Sequence, residues 1–452
     1  MTDQTQAAKS GGSSLGLAII YVTTLFFIWA VVTNLLDPAI AAMKTIYDLH
    51  GLELALQTFA FFIAYGVMSM PAASFLSKKG YAASIIVGLG GIVAGCLFAY
   101  VSTLMASYPV FLLGLFVMAS GITLLQVAAN PLIAAMGDPK HSAFRLNLSQ
   151  AFNSLGAASV LFVGSSILLK GEAFKPGVEL TDALRAAALT ELGSAYLKMG
   201  IILAIFIGMI FLVRKTISDN APQTVGAVSP LSALSSKWAR LGGLAIFFYV
   251  GAEVSIGASL ILYIEQQHIL NIATVDAGKL ITWYMLFAMF GRFIGSVIMR
   301  TVKGHTVLAL AALGAIVLCL IVVTYNGTAA SVATGSFTMP IVNVIVPISE
   351  GTLPGMAAIC VGIFNSIMFP TIFTTTLERS SAPASATSGL LCVAIVGGAF
   401  VPLLFAAVKD ATSSYSLAFI VPALCYGYIL WFANAAKSAP VHVIEEGVSG
   451  GH

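Results

Sequence analysis

Trp29, Thr33 and Asp37 recur every four residues, so a helix would carry an indole, a hydroxyl and a carboxylate along one face. Asn34 adds an amide one turn before Asp37. Pro38 has no amide hydrogen and leaves the Asn34 carbonyl without its helical partner. Gln126 and Asn130 stand four apart, and Pro131 then frees the carbonyl of Val127 in the same way. Asn147, Gln150 and Asn153 follow at three-residue steps. Asn365 precedes Pro370 by the interval that separates Gln126 from Pro131, and Ser366 loses its helical partner to that proline. Glu253 and Arg292 complete the set, and each of these groups lies in an apolar stretch. The amides can donate and accept hydrogen bonds to a neutral, hydroxyl-rich solute. Asp37 or Glu253 can carry a proton or hold a cation. The same groups also have plainer uses: buried amides tie helices together, Asp37 can sit at a solvated helix end, and Glu253 can pair with Arg292. Covalent chemistry is not indicated. The 6 histidines are scattered, and no stretch sets a nucleophile beside a base.

The medium follows from composition. Of 452 residues, 59% are hydrophobic and 9% charged, where a soluble domain carries about 25% charged residues. The mean hydropathy is +0.98. An apolar run of about 20 residues crosses a bilayer as a helix. Such runs lie near 15–41, 53–76, 82–104, 108–135, 146–169, 194–213, 240–265, 275–299, 305–325, 354–377, 386–408 and 414–436. The expected fold is therefore an all-α membrane protein with twelve transmembrane helices. Residues 1–14 are polar and lead directly into a full-length apolar run, so no cleavable signal is expected. A net charge of +3 spread through such a chain makes no nucleic-acid-binding stripe. Cys96, Cys319, Cys360, Cys392 and Cys425 all lie in apolar runs, which suits neither a disulfide framework nor a metal site. No cofactor is implied.

Lysine and arginine set the expected orientation. With the N-terminus cytoplasmic, Lys78, Lys79, Lys140, Arg145, Arg214, Lys215, Lys237, Arg300, Lys303, Arg379 and Lys437 share the cytoplasmic side. Fewer basic residues, among them Lys44, Lys170 and Lys279, fall opposite. Both termini are expected inside. The runs also repeat weakly: Phe26-Phe27 matches Phe247-Phe248, and late prolines Pro131 and Pro370 fall in runs four and ten. Two six-helix halves, 1–213 and 240–452 about a polar cytoplasmic linker at 214–239, are the plan of major facilitator transporters, whose substrate sits between the halves.

The chain resembles the fucose:proton symporter family of the major facilitator superfamily, which includes bacterial glucose/galactose transporters. The segments that carry the resemblance are Phe26-Phe27-Ile28-Trp29 through Asn34-Leu35-Leu36-Asp37, Phe61-Phe62-Ile63-Ala64-Tyr65, Ala128-Ala129-Asn130-Pro131 and Arg145-Leu146-Asn147-Leu148-Ser149-Gln150-Ala151-Phe152-Asn153. In the second half they are Phe248-Tyr249-Val250-Gly251-Ala252-Glu253, Phe364-Asn365-Ser366-Ile367-Met368-Phe369-Pro370 and Ile395-Val396-Gly397-Gly398. The resemblance implies uptake of a sugar through a bacterial inner membrane by alternating access, driven by a cation gradient. It matches Asp37 to the family's aspartate and Gln150 and Asn153 to its sugar-side amides. One departure bears on coupling. Where the family reads Leu-Glu-Thr-Ala-Ala-Asn-Pro, this chain has Leu125-Gln126-Val127-Ala128-Ala129-Asn130-Pro131, and Gln126 cannot titrate.

The leading expectation is a monomeric importer of a neutral monosaccharide, with a proton as its partner. Asn34, Gln126, Asn130, Gln150, Asn153, Asn365 and Trp29 would bind substrate, and Asp37 or Glu253 would couple the cation. A sodium-coupled symporter and an uncoupled facilitator are the alternatives, ahead of an N-acetylhexosamine importer or a multidrug exporter. An exporter would line its cavity with aromatic and methionine side chains rather than amides. A sensor would need a sizeable soluble domain, which this sequence lacks.

Overall fold

The structure, a computed structural model, describes residues 2–35, 42–43, 45–49, 51–168, 180–222, 229–325, 327 and 332–442. Apolar runs fold into helices here because a helix satisfies every backbone hydrogen bond within itself, as lipid demands. The first six crossings are α1 (Thr2–Asn34), α2 (Gly51–Lys79), α3 (Tyr81–Leu104), α4 (Tyr108–Ala135), α5 (Ser142–Leu168) and α6 (Asp182–Asp219). The next three are α7 (Lys237–Ile264), α8 (Thr274–Ile298) and α9 (Gly304–Thr324). The last three crossings are broken: α10 (Thr352–Asn365) with α11 (Met368–Leu377), α12 (Ala384–Val393) with α13 (Gly397–Thr412), and α14 (Tyr415–Ala418) with α15 (Ile420–Ala436). Among the described residues, 11 stretches are long and apolar enough to span a membrane; α5, with 27 residues, makes the twelfth. Successive crossings alternate in direction. One end of the bundle therefore collects Lys78, Lys79, Lys140, Arg300, Lys303, Arg379 and Lys437, and is called the basic end below.

One expected boundary needs correction. The sixth apolar run, 194–213, lies inside a longer helix: α6 has 38 residues and carries Arg214 and Lys215. No proline interrupts it, and the Thr181 hydroxyl caps its start by accepting from the Leu184 amide at 3.3 Å. The fold is nearly all helical, as expected, with one small hairpin. Within the loop 326–353, strands β1 (Gly335–Met339) and β2 (Val344–Ile348) pair antiparallel. The run Val344-Ile345-Val346 is too short to span and rich in β-branched residues, which favour strands. Trp283 on α8 pins this hairpin by donating its indole N–H to the Pro340 carbonyl at 3.1 Å.

The first six crossings pack on one another, and so do the last six. Helices in lipid gain most by close backbone approach at small residues. Gly156 on α5 lies so near the Phe27 carbonyl of α1 that a Cβ has no room, and Gly397 on α13 lies equally near the Phe247 carbonyl of α7. The Phe-Phe repeat seen in sequence thus marks the same helix crossing in each set. Between the sets, α2 meets α12 and α5 meets α8.

Candidate substrate-binding site

Trp29 is 3% exposed and packs on Phe26, ring centroids 4.2 Å apart, inside the bundle and away from its lipid-facing surface. One turn on, the Thr33 hydroxyl is buried without a hydrogen-bond partner among the described residues. That face of α1 therefore points inward. Asn34 turns back on its own helix, donating to the Ala30 carbonyl at 2.8 Å. Asp37 lies outside the described residues.

The amides of α4 and α5 converge beside this face. Asn153 donates to the Phe26 carbonyl at 3.0 Å. Gln150 reaches Asn130 Oδ1 at 3.5 Å, the limit of a hydrogen bond, while the Asn130 Nδ2 group finds no partner among the described residues. Gln126 is half-buried and donates to the Tyr65 hydroxyl of α2 at 2.9 Å. A carboxamide has two N–H donors and two acceptor lone pairs. These side chains therefore retain hydrogen-bonding capacity in an environment where leaving it unused is costly. Gln57 on α2 belongs with them, although it was not among the residues expected from sequence: it is 0% exposed, and neither amide atom has a partner among the described residues. An amide inside an apolar run was the available signal.

Not all of the α5 amides line one wall. Steps of three residues drift by about 60° each on an α-helix. Asn147 has turned away and donates to the Thr371 hydroxyl of α11 at 3.1 Å, bridging the two sets of crossings. Other cross-set hydrogen bonds join it at the basic end. Ser388 donates to the Val127 carbonyl at 2.8 Å, the carbonyl that Pro131 leaves free. Arg292 donates through Nη1 to the Ser154 hydroxyl. Through Nε it donates to the Ser366 carbonyl at 2.7 Å, the one that Pro370 leaves free. The prolines thus supply acceptors for a seal rather than for a ligand. Arg292 takes the structural role, and among the described residues it forms no contact ion pair with Glu253.

Asn365 differs most from expectation. It is 0% exposed, donates to the Tyr284 hydroxyl at 3.0 Å and accepts from Tyr426 at 2.7 Å. Tyr249 caps its main-chain carbonyl at 3.0 Å. This tyrosine cage ties α7, α8, α10 and α15 together and leaves one amide N–H for anything else. Matching positions by distance to a proline located the residue but not the tyrosines, which sit mid-helix rather than in an interfacial belt. Glu253 lies half-buried beside Tyr249, within the field of Arg292.

At the basic end the seal is reinforced by charge. Arg145 donates to the carbonyls of Ile133, Ala134 and Asp138, satisfying the C-terminal end of α4. Arg379 does the same for α15, donating to the Ala436 carbonyl at 2.9 Å, and pairs with Glu378 at 3.3 Å. Burial holds the Glu378 carboxyl above its ordinary 4.5, against the pull of Arg379 and Arg145. A carboxyl raised on folding adds stability that is complete below 4.5 and is lost as pH rises through the raised value. Glu378→Gln is expected to flatten that loss when melting temperature is followed from acid to neutral pH. An unaltered slope would exclude Glu378 as its source.

Comparison with known proteins fits this geometry. The Major Facilitator Superfamily model matches residues 17–402. The chain is 35% identical over 425 residues to a glucose/galactose transporter of Brucella abortus, covering 94% of this chain and 95% of that one. It is 28% identical to the L-fucose-proton symporter of Escherichia coli K12, covering 95% and 97%. Among solved structures, a major facilitator transporter, FucP, in the outward conformation superposes with a TM-score of 0.78 at 26% identity, covering 94% of this chain and 99% of that one. The chain belongs to the major facilitator superfamily, in the family of the fucose:proton symporters and bacterial glucose/galactose transporters. It is an integral membrane transporter, not an enzyme.

Proposed function

We propose that the chain imports a neutral monosaccharide, a hexose or close relative, across a bacterial inner membrane with its basic end and both termini in the cytoplasm. The observation that carries this reading is the unspent hydrogen-bonding capacity of Gln126, Asn130, Gln150 and Asn153 beside the buried Trp29. Sugars offer hydroxyls to amides and C–H faces to an indole. Asn34 and the remaining N–H of Asn365 would complete the site from either set of crossings. The two sets of six crossings would rock about the stretch between α6 and α7, with the hydrogen-bonded seal at the basic end broken and remade in each cycle. The names of the relatives, which specify glucose, galactose and fucose, support the substrate class. Coupling to a proton at Asp37, with Glu253 in reserve, is the preferred reading. Gln126, standing where the family has a glutamate, favours a sodium-coupled symporter or a facilitator as the second. The test of the site is a variant retaining Trp29 as its sole tryptophan, titrated with a panel of hexoses. Saturable fluorescence change with one or a few sugars is expected; a signal indifferent to every sugar would place Trp29 away from the substrate.

A further inference from the structure

A cavity of about 400 Å³ opens at the basic end, between the end of α4 and the residues that follow α15. It is lined by residues of both sets of crossings. Lys140 comes from the turn before α5, Lys303 from the start of α9 and Lys437 from the end of α15. None of these lysines has a carboxylate within ion-pair distance among the described residues. Glu378, which also lines the cavity, is already neutralised by Arg379. The Ser142 hydroxyl faces the same space. It is 2% exposed and lies beside the Glu378 carboxylate, which it assists by hydrogen bonding. His442 closes the outer side, its backbone N–H donating to the Glu378 carbonyl at 2.6 Å. A positive bias at this end explains lysines in the loops. It does not explain why lysines from three separated segments converge on the mouth of one cavity.

We propose that this cavity is a regulatory site for a small phosphate monoester, of the class made when an imported monosaccharide is phosphorylated. Its volume lies in the range of small-molecule sites, about 300–1,000 Å³. Lysine ammoniums are effective point-charge partners for a phosphate dianion, and the uncapped start of α9 adds the positive end of a helix. Lys140 belongs to the first six crossings and Lys303 and Lys437 to the last six, so the three converge only while the basic end is closed. A ligand that binds one state alone shifts the population toward it. A phosphate monoester would therefore hold the seal shut and slow transport without competing for the sugar site. Drawing the ligand from the cytosol rests on the orientation proposed above.

The test uses the purified full-length transporter in nanodiscs of phosphatidylcholine, titrated calorimetrically with glucose 6-phosphate, inorganic phosphate and glucose. Saturable binding of glucose 6-phosphate is expected. Lys303→Gln/Lys437→Gln should weaken it by about tenfold or more, while melting temperature and phosphate-free sugar counterflow stay unchanged. In proteoliposomes, glucose 6-phosphate sealed on the side of the basic end should lower the maximal counterflow rate of the wild type and not that of the double variant. Absence of saturable binding, or binding indifferent to the double substitution, overturns the proposal. Loss of binding in phosphatidylglycerol nanodiscs would assign the site to a lipid headgroup and overturn it too. Binding seen only after removal of residues 443–452 would make the acidic Glu445-Glu446 segment the occupant and would equally overturn the proposal. The calorimetric arm is independent of sugar transport, so a chain that moves no sugar would still be judged by it.

Discussion

Gln150→Ala and Asn153→Ala are each expected to weaken sugar binding by about 5- to 150-fold, the equivalent of roughly 1–3 kcal/mol for a buried hydrogen bond left without its partner. The two losses differ in origin. Asn153 already spends one N–H on the Phe26 carbonyl, so its removal also loosens the contact between α5 and α1. Gln150 holds only a long contact to Asn130, so its removal chiefly strips a ligand from the sugar. Equilibrium binding to the purified variants measures both effects, and melting temperature separates them. Gln150→Ala should bind poorly at nearly unchanged stability, whereas Asn153→Ala should lose some of each. Wild-type affinity in both variants would move the sugar elsewhere.

Asp37→Asn should abolish gradient-driven accumulation while sparing counterflow. Gln126 cannot take a proton, which leaves Asp37 and Glu253 as the carboxylates within the crossings considered for coupling. Exchange of labelled for unlabelled sugar needs no net movement of the coupling ion, so an amide at position 37 should support it. Accumulation that survives in Asp37→Asn would transfer coupling to Glu253 or mark the protein as a facilitator. Loss of both activities would instead make Asp37 part of sugar binding.

The crossings were legible because hydropathy over some twenty residues is a coarse signal that no tertiary contact can reverse. The amides were legible for a related reason: each is an anomaly in its apolar run. Their division of labour was not. Asn147 and Gln150 differ by one turn, yet one bridges to Thr371 while the other faces Asn130; the choice depends on which helix lies alongside, and that is tertiary information. The same holds for Asn365, whose partners Tyr249, Tyr284 and Tyr426 come from three distant segments. Proline placement predicted free carbonyls at Val127 and Ser366 correctly, but not that Ser388 and Arg292 would claim them. The hairpin leaves no clear sequence signal, because its strands have five residues each, too short for a periodicity to register against an apolar background.

Uptake into proteoliposomes, with labelled glucose, galactose, fucose, mannose, fructose and N-acetylglucosamine offered in turn, tests the central claim most directly. Each sugar is presented with an inward proton gradient, an inward sodium gradient and neither. Saturable, stereoselective accumulation of at least one neutral sugar, dependent on the proton gradient and collapsed by a protonophore, is the predicted result. Failure of every sugar to enter under all three conditions, from protein that is folded and inserted, would contradict it.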